Sequence, residues 1–518
     1  MSNTMHGVMF NAYPDSIGEK LADTVSLLER PEFKDVFSLF YILPTFFNSD
    51  LDRGFSIIDY DLNRDLVSEA DLEALKQLNI RLKFDIVLNH LSVASPQFKD
   101  LLKKGSASEY KDFFINWNAF WEGHGEPNDE GVIIPKEAYL NKLFMRKAGL
   151  PILKVPFPDG TQQPYWNTFY QKVDYENKSY LGQMDVNARS SLVWDFYKET
   201  LQKLSAYGCK ILRLDAFAYL HKEVGQSNFF NMPGTWDYLK RIKKLADTHD
   251  LTVLPEIHAE YGLNLHDEVA AEGYQIYDFF LPGLMIHTLE TQNNGALLAW
   301  AREIIDKGYK TVNMLGCHDG IPVLDLKGKQ VGDTYHKGLL EDEAIEEVMN
   351  VIMKRGGRVK NIYDASGNKL SYYQVNATFF SALGEDDKKM LLARAIQLFM
   401  PGIPQVWYLD LFAGKNDYEA ADKAGKGGHK EINRTTLSME AVEKGLETPV
   451  VLDQLKLLRL RNTSNAFSGT VQIHETPAHK IHIQWAHDGD VAQLQADLTT
   501  CDFSIDYSEN GVHKVLSF

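Results

Sequence analysis

The chain of 518 residues is 44% apolar and 12% aromatic, and 54 basic against 71 acidic residues give it a net charge of −17. This charge argues against nucleic acid or an anionic membrane as a partner, and no run of 18 apolar residues predicts a membrane-spanning helix. The three cysteines lie far apart without a CxxC pair and the N-terminus does not resemble a signal peptide, so we expect a cytoplasmic protein with reduced thiols and no zinc site.

Eight short apolar runs follow one another along the chain. They are Val8–Asn11, Val36–Leu43, Leu82–Val87, Ile211–Leu214, Val253–Glu256, Ile276–Phe280, Thr311–Leu315 and Ile403–Tyr408. Runs this short and this apolar are typical of strands that are buried on both faces. Between them, apolar residues recur at every third or fourth position, which predicts helices over Ser191–Tyr207, Trp236–Ala246, Leu297–Ile305 and Met390–Phe399. Strand and helix alternate, which predicts an α/β fold, a (β/α)8 TIM barrel.

Two long stretches interrupt this alternation, and both leave from the C-terminal ends of strands, where barrel active sites are built. Near the C-terminus, Val471–Trp485 alternates apolar and polar residues, which predicts a small antiparallel β domain. We therefore predict a catalytic barrel over 1–91, 186–317 and 374–465. Two loop domains are inserted at its C-terminal face, domain B over 92–185 and domain B′ over 318–373, and the β domain covers 466–518.

Three carboxylates stand at the ends of apolar runs. Asp215 ends Ile211-Leu212-Arg213-Leu214-Asp215, Glu256 ends Thr252-Val253-Leu254-Pro255-Glu256, and Asp319 follows the run that begins at Thr311. A barrel brings the C-terminal ends of its strands together around one mouth. Two carboxylates that face one glycosidic bond are the minimum for glycoside chemistry, and a third can hold the sugar ring.

The neighbours of these carboxylates suggest how they are ionised. Arg213 lies two residues before Asp215 on the same side of the strand, so its cation should keep Asp215 ionised for nucleophilic attack. Glu256 follows Pro255 without a cation nearby in sequence, so burial should favour the protonated form that a general acid needs. Each residue alone is compatible with a structural ion pair; together, at successive strand ends, they favour a catalytic site.

Four segments in this order resemble the short signature regions of the α-amylase-type glycoside hydrolase family: Asp85–His90, Gly208–Ala216, Leu254–His258 and Gly316–Gly320. The resemblance covers nearly the whole chain and is closer still to the sucrose phosphorylase and glucosylglycerol phosphorylase branch of that family. The stretches that carry it are Tyr13–Ser16, Asp52–Phe55, His318–Pro322, Tyr373–Asn376, Pro401–Val406, Ala413–Asp417 and Ile432–Arg434.

The resemblance implies a retaining double displacement on an α-glucoside, with Asp215 as nucleophile, Glu256 as acid/base and Asp319 as transition-state stabiliser. Retention places the first two carboxyl groups about 5–5.5 Å apart. The residues implied to hold the substrate are Asp52, Phe55, His90, Phe169, Gln183, Arg213, Tyr219, His258, His318, Ser371, Gln374 and Arg434. Without the resemblance, Phe55 and Phe169 would be assigned to the core, and His90 to a buried pair with Asp85.

The resemblance also implies that inorganic phosphate is the second nucleophile and α-D-glucose 1-phosphate the product. Candidate phosphate-binding residues are Arg146 and Lys147, in the loop Leu143–Pro151, together with Tyr373. Without the resemblance, an ordinary solvated charge pair would explain Arg146 and Lys147 equally well. No cofactor and no metal is expected, because the phosphorylase relatives lack the calcium that family amylases hold at the place of Asn89. The expected partners are an α-glucoside, phosphate and glycerol or fructose, for a monomer or homodimer.

The acceptor sugar is predicted from Ser371. Sucrose-using relatives carry an aspartate at this place, which meets fructose hydroxyls, whereas relatives acting on glucosylglycerol carry a small residue. Ser371 therefore favours 2-O-α-D-glucosylglycerol, cleaved to glycerol. The alternatives are sucrose and, given Arg146 and Lys147, sucrose 6′-phosphate. A hydrolase of this fold would need an idle phosphate site, and the retained catalytic residues argue against an inactive barrel used only for binding.

Overall fold

The computed structural model describes residues 7–147, 149–174, 179–363, 369–425, 428–509 and 511–518. Within these ranges the side chains of 174, 179, 180, 360–363, 369–373 and 517 are not described. No helix in the described ranges is both long enough and apolar enough to cross a bilayer.

Eight parallel strands form the barrel, as predicted. They are β1 (Met9–Ala12), β2 (Leu39–Ile42), β3 (Arg81–Val87), β4 (Cys209–Asp215), β5 (Thr252–Pro255), β6 (Ile276–Asp278), β7 (Thr311–Met314) and β8 (Ile403–Trp407). Hydrogen bonds join them in the order β5-β4-β3-β2-β1-β8-β7-β6, so that β5 and β6 close the barrel at a seam. Each predicted apolar run overlaps one of these strands, because both faces of a barrel strand are buried.

Helices surround the strands. Those of the barrel are Leu21–Leu28, Glu69–Gln77, Ser191–Ala206, Gly234–Asp247, Leu265–Ala271, Leu281–Thr291, Gly295–Lys307, Asp387–Phe399 and Pro449–Thr463. Local signals set their ends: Ser68 forms a capping box with Asp71 at one N-terminus, and Gly308 takes φ 67° at one C-terminus. Shorter helices are Phe379–Ala382, Tyr408–Leu411, Tyr418–Ala424 and Met439–Leu446.

The first insert leaves after β3 and has an apolar core of its own. Its strands are His90–Ser92, Gly125–Pro127, Ile133–Pro135, Ile152–Pro156, Gln162–Trp166, Gln171–Asp174 and Ser179–Asp185, and its helices are Pro96–Lys104, Trp117–Trp121 and Glu137–Leu140. Trp117, Trp121 and Trp166 are each at most 1% exposed and pack together. Ser179–Asp185 pairs with His90–Ser92, which ties the end of the insert to the rim of the barrel.

The second insert leaves after β7. It contains the hairpins Lys329–Val331 with Thr334–His336 and Arg358–Tyr363 with Lys369–Asn376, and the helix Asp342–Lys354. A further hairpin, Phe47–Ser49 with Ile57–Leu62, follows β2. The exact domain limits given above stay a prediction.

The C-terminal β domain is a five-stranded antiparallel sheet, as predicted. Its strands are Thr470–Ile473, Lys480–His487, Asp490–Asp497, Asp502–Glu509 and Val512–Ser517, paired in chain order. Trp485 anchors the sheet to the barrel, since its indole Nε1 donates to the carbonyl of Phe399 at 2.8 Å.

Candidate active site

The three carboxylates predicted to be catalytic meet at the C-terminal mouth of the barrel. Asp215 is the last residue of β4, Glu256 directly follows β5, and Asp319 lies in the loop after β7. Carboxylate oxygens of Glu256 and Asp319 lie within 4.8 Å of each other. Their side chains are 12%, 16% and 15% exposed, respectively, so each is held by protein yet open to a substrate.

Arg213 lies at the centre of this group. Its Nη1 donates to Asp215 Oδ1 at 2.8 Å and also to Asp85, while Nη2 forms an ion pair with Glu256 Oε1 at 2.6 Å. The hydroxyl of Tyr41 donates to the Asp85 carboxylate at 2.8 Å. The expectation that Glu256 has no cation nearby is therefore wrong, because β4 and β5 are neighbours and the long Arg213 side chain spans both.

The ionisation of Asp215 also differs from the expectation. Burial raises the pKa of Asp215, Arg213 lowers it, and the carboxylates of Glu256 and Asp85 raise it further, so that it lies well above its usual range. One guanidinium faces three carboxylates, and negative charge is in excess. Arg213 thus does not by itself offset the burial of Asp215 and the two neighbouring carboxylates.

Asp319 is ionised by a different set of neighbours. Lys430 donates to its Oδ1, His318 Nε2 lies 3.7 Å from Oδ2, and Arg434 Nη2 lies 3.8 Å from Oδ1. Burial alone would raise the pKa of Asp319, but the cations Lys430 and Arg434 hold it well below its usual range. Sequence reasoning missed Lys430, whose only signal was its position beside the Ile432–Arg434 stretch.

Around the carboxylates, buried polar side chains form the walls of the pocket. His90 Nε2 and Gln183 Nε2 lie 3.1 and 3.2 Å from the carbonyl oxygen of Phe55. Burial lowers the pKa of both His90 and His318, so both imidazoles are neutral at pH 7. Four of the buried atoms without a hydrogen-bond partner among the described residues belong to these walls: His90 Nδ1, His318 Nδ1, Gln374 Oε1 and Arg434 Nη2. Such atoms are rare unless a ligand or water satisfies them, and sugar hydroxyls would do so.

Aromatic rings line the same pocket. Phe55 stacks on His318 with ring centroids 5.2 Å apart, and Phe169 lies 5.1 Å from His90 and 5.0 Å from Tyr219. The guanidinium carbon of Arg146 lies 5.6 Å from the centroid of Phe169. Flat apolar faces beside hydroxyl-binding groups suit a pyranose ring.

The second insert reaches the site through a close backbone contact. Ile321 exchanges backbone hydrogen bonds with Val375, which brings Gln374 beside Asp319. A Cβ on Gly320 would lie 2.9 Å from the Val375 carbonyl oxygen, so only glycine permits this approach. Ser371 and Tyr373 lie on the same strand, but their side chains are outside the described part of the chain, so both assignments stay predictions.

The remaining predicted residues lie at the rim. Asp52 is exposed and takes φ 51°, a conformation that is costly for a residue with a Cβ. His258 lies between Glu256 and Asp325, at 3.5 and 3.2 Å, and stacks on a phenylalanine. Lys147 donates to the Asn167 side chain, and burial lowers the pKa of Lys147 to about 8.

A second basic residue that sequence reasoning missed holds the pocket together. Lys222 is buried, and its Nζ lies 2.8 Å from Asn89 Oδ1, 2.7 Å from the Tyr219 carbonyl oxygen and 2.8 Å from Asp185 Oδ2. Asp185 also accepts from the backbone and hydroxyl of Thr168 at 2.8 and 2.6 Å. The Lys222 cluster thus holds the backbone of Tyr219 directly. It also fixes Asn89, Thr168 and Asp185, which lie close in sequence to the predicted substrate contacts His90, Phe169 and Gln183.

The comparisons with known proteins agree with this geometry. A family model described as the catalytic domain of alpha amylase matches residues 37–267. Sucrose 6(F)-phosphate phosphorylase from Ilumatobacter coccineus is 59% identical over 513 residues, which cover 99% of this chain and 97% of that protein. The chain belongs to the α-amylase-type glycoside hydrolase family, in its sucrose phosphorylase branch.

Two further relatives support this assignment. Glucosylglycerol phosphorylase from Marinobacter adhaerens is 30% identical, over 97% of each chain. The crystal structure of sucrose 6F-phosphate phosphorylase from Thermoanaerobacter thermosaccharolyticum has a TM-score of 0.88 and 34% identity, and covers 100% of this chain and 99% of that one. The chain is accordingly an enzyme, a glycosyl-transferring phosphorylase.

Replacing Lys222 with methionine should destabilise the enzyme, because the buried Asp185 carboxylate would lose its cation. We expect the free energy of unfolding to fall by about 3–5 kcal/mol, the usual cost of removing one partner of a buried ion pair. Denaturant-induced unfolding followed by circular dichroism measures this. The double variant Lys222→Met/Asp185→Asn should recover part of the loss; a single-variant loss below about 1 kcal/mol would mean that other contacts hold the insert.

Proposed function

We propose that the enzyme is a sucrose 6F-phosphate phosphorylase, which cleaves sucrose phosphorylated on its fructose ring with inorganic phosphate into α-D-glucose 1-phosphate and fructose 6-phosphate. The observation that carries this proposal is the 59% identity, over 99% of the chain, to a protein of that name. The pocket supports it with three carboxylates, neutral imidazoles and two basic residues on one loop at the mouth.

In the first step, an Asp215 oxygen attacks the anomeric carbon of the glucosyl group as the bond to the fructosyl oxygen breaks. Glu256 gives its proton to that oxygen, and fructose 6-phosphate leaves. A β-glucosyl ester of Asp215 is formed. The shared contact with Arg213 supports this division of roles, since it holds both carboxyl groups at one side of the pocket.

In the second step, a phosphate oxygen attacks the same carbon and the Asp215 carboxylate leaves. Glu256 accepts the proton of the attacking phosphate when that phosphate carries one. Two inversions give retention, so the product is the α-phosphate. Both carboxylates contact the two terminal nitrogens of one guanidinium, which favours the spacing of about 5–5.5 Å in retaining enzymes over the wider spacing of inverting ones. Ionised Asp319 would stabilise the positive charge that develops on the ring.

The choice of acceptor replaces the earlier preference for glucosylglycerol. That preference was based on a single residue, Ser371. Serine lacks the carboxylate of the sucrose-using relatives, but it does not select any particular acceptor. Loss of a carboxylate also suits an acceptor that is itself anionic, because like charges in one pocket would repel. The same residue is thus compatible with a phosphorylated fructose.

The loop containing Arg146 and Lys147 is the proposed phosphate-binding element. Arg146 lies over Phe169, and Lys147 contacts Asn167, which in turn donates to the Gln183 backbone at 2.7 Å. Both cations therefore border the glucosyl pocket on the side open to the mouth. A site that first releases fructose 6-phosphate and then admits inorganic phosphate needs such cations in both steps.

A comparison of donors tests the proposal. We expect kcat/KM for phosphate-dependent release of α-D-glucose 1-phosphate to be at least about 100-fold higher for sucrose 6F-phosphate than for sucrose or 2-O-α-D-glucosylglycerol. One or two charge-assisted hydrogen bonds of about 1.5–3 kcal/mol each account for that ratio. Asp215→Asn, the control for active-site chemistry, should abolish turnover of all three. Preference for glucosylglycerol would refute the acceptor assignment, and glucose release that ignores phosphate would indicate a hydrolase.

Neutralising the loop should remove the preference for a phosphorylated donor. Arg146→Gln and Lys147→Gln should each lower kcat/KM for sucrose 6F-phosphate by about 10- to 100-fold, since each removes one charge-assisted contact. The KM for inorganic phosphate is measured separately with a fixed donor. Lys142→Gln is the matched control, because Lys142 is an exposed cation nearby that bonds the Gly225 carbonyl at 2.8 Å. If all three variants behave alike, the preference does not come from these cations.

Lys430 is predicted to assist Asp319. Lys430→Met should raise the pKa of Asp319 and free its carboxylate to rotate, and so lower kcat by about 10- to 100-fold with a smaller change in KM. Lys430→Arg keeps the positive charge and should retain most of the activity. Equal losses in the two variants would show that a positive charge alone is not sufficient and that the position of the ammonium beside Asp319 is what matters.

A further inference from the structure

A buried lysine lies directly beneath the catalytic group. Lys83 is on β3 and is 0% exposed, two residues before Asp85 and therefore on the same inward face of the strand. The alternate residues of a barrel strand fill successive layers, so Lys83 occupies the layer below the one that contains Asp85 and Arg213. Buried lysines are rare unless they are paired or functional.

The contacts of Lys83 are those of an ammonium ion. Its Nζ lies 2.8 Å from Gln405 Oε1, contacts the hydroxyl of Tyr277, and stands 3.7 Å from the centroid of the Tyr41 ring. An ammonium has three N–H donors, and here two oxygens and the face of an aromatic ring receive them. Tyr41 in turn donates its hydroxyl to Asp85, which links Lys83 to the charged layer above.

The charge of Lys83 affects the charge balance of the catalytic residues above it. In the reacting state required by the mechanism, Asp85 and Asp215 are ionised, Arg213 is cationic and Glu256 is protonated. That layer then carries a net charge of −1 at the base of the pocket, where an unbalanced charge is costly. A cationic Lys83 brings the sum to zero.

We propose that Lys83 is a positioning residue of the catalytic machinery, a buried ammonium that sets the pH range in which Asp215 is ionised. This inference rests on the proposed role of Asp215 as nucleophile. It does not depend on which acceptor sugar the enzyme uses.

Groups from the strand of Lys83 itself and from six other strands or strand ends face Lys83, and several affect its charge. They are Tyr41, Asp85, Arg213, Glu256, Tyr277, Cys317 and Gln405. Burial lowers the pKa of Lys83 well below that of a solvated lysine, while Asp85 raises it. Tyr277 and Cys317 are neutral at pH 7, because burial raises the pKa of each. The alternative to a buried ammonium is therefore a neutral amine. Only the ammonium would lower the pKa of Asp215, so the two states can be distinguished by experiment.

The test is the pH profile of kcat/KM for Lys83→Met, which removes the charge and keeps the length of the side chain. The donor is α-D-glucosyl fluoride with inorganic phosphate as acceptor, because fluoride leaves without help from an acid. Loss of a cation raises the pKa of Asp215, so the acid limb of the profile should move to higher pH. A charge one barrel layer away, about 7 Å, at an effective dielectric constant of about 20 predicts a shift of about 1.7 pH units.

Two further variants separate charge from packing. Tyr277→Phe removes one hydrogen bond of Lys83 but leaves the ammonium, so its acid limb should stay in place. Lys83→Gln is a second neutral variant that keeps a donor and should shift the limb as Lys83→Met does. Thermal unfolding of each variant identifies any change in folding.

Three results would overturn the inference. An acid limb that stays in place in both neutral variants means that Lys83 is uncharged or not coupled to Asp215. A uniform fall in kcat/KM at every pH means a role in packing alone. An equal shift in Tyr277→Phe assigns the effect to the hydrogen bond. Failure of the unaltered enzyme to use glucosyl fluoride with phosphate would instead contradict the phosphorylase mechanism itself.

Discussion

The chemistry at the mouth of the barrel depends on the division of one guanidinium among three carboxylates. Arg213 contacts Asp85, Asp215 and Glu256 at once, and it is only 3% exposed. Because one cation cannot neutralise three anions in a buried layer, the pKa of Asp215 lies well above its usual range. A retaining mechanism needs one carboxylate charged for attack and its neighbour protonated for release of the leaving group. Arg213 therefore positions both carboxylates without cancelling their charge.

The barrel could be predicted from sequence because its signal is local and repeated. Strands such as Ile211–Leu214 are buried on both faces and read as apolar runs, and the alternation of Val471–Trp485 is typical of an antiparallel sheet with one exposed face. The three carboxylates were found for the same reason, since Asp215 and Glu256 stand at the end of such a run and Asp319 lies four residues beyond one. These patterns do not show which side chains meet across the mouth. The short distance from Arg213 to Glu256, for example, exists only because their two strands are neighbours in the folded barrel.

The three lysines that the sequence did not reveal share one physical feature. Lys83, Lys222 and Lys430 each place an amino group in a buried or half-buried position, where its partners come from distant parts of the chain. Lys222, for example, joins Asn89 at the rim of the barrel to Asp185 at the end of the first insert. In a single sequence, each reads as one more surface lysine among 54 basic residues. Their importance appears only when the acceptor atoms around each ammonium are known.

Under the proposed function, these placements explain how an acidic protein would handle anionic substrates. A net charge of −17 repels phosphate at long range, but this repulsion is screened within about 10 Å at ordinary ionic strength. Inside the pocket, where water is excluded, each cation acts at a lower effective dielectric constant and over a shorter distance. Arg146 and Lys147 therefore need not outweigh the charge of the whole molecule; they need only lie close to the anion. The same reasoning applies on the other side of the pocket, where Lys430 and Arg434 keep Asp319 ionised although burial opposes it.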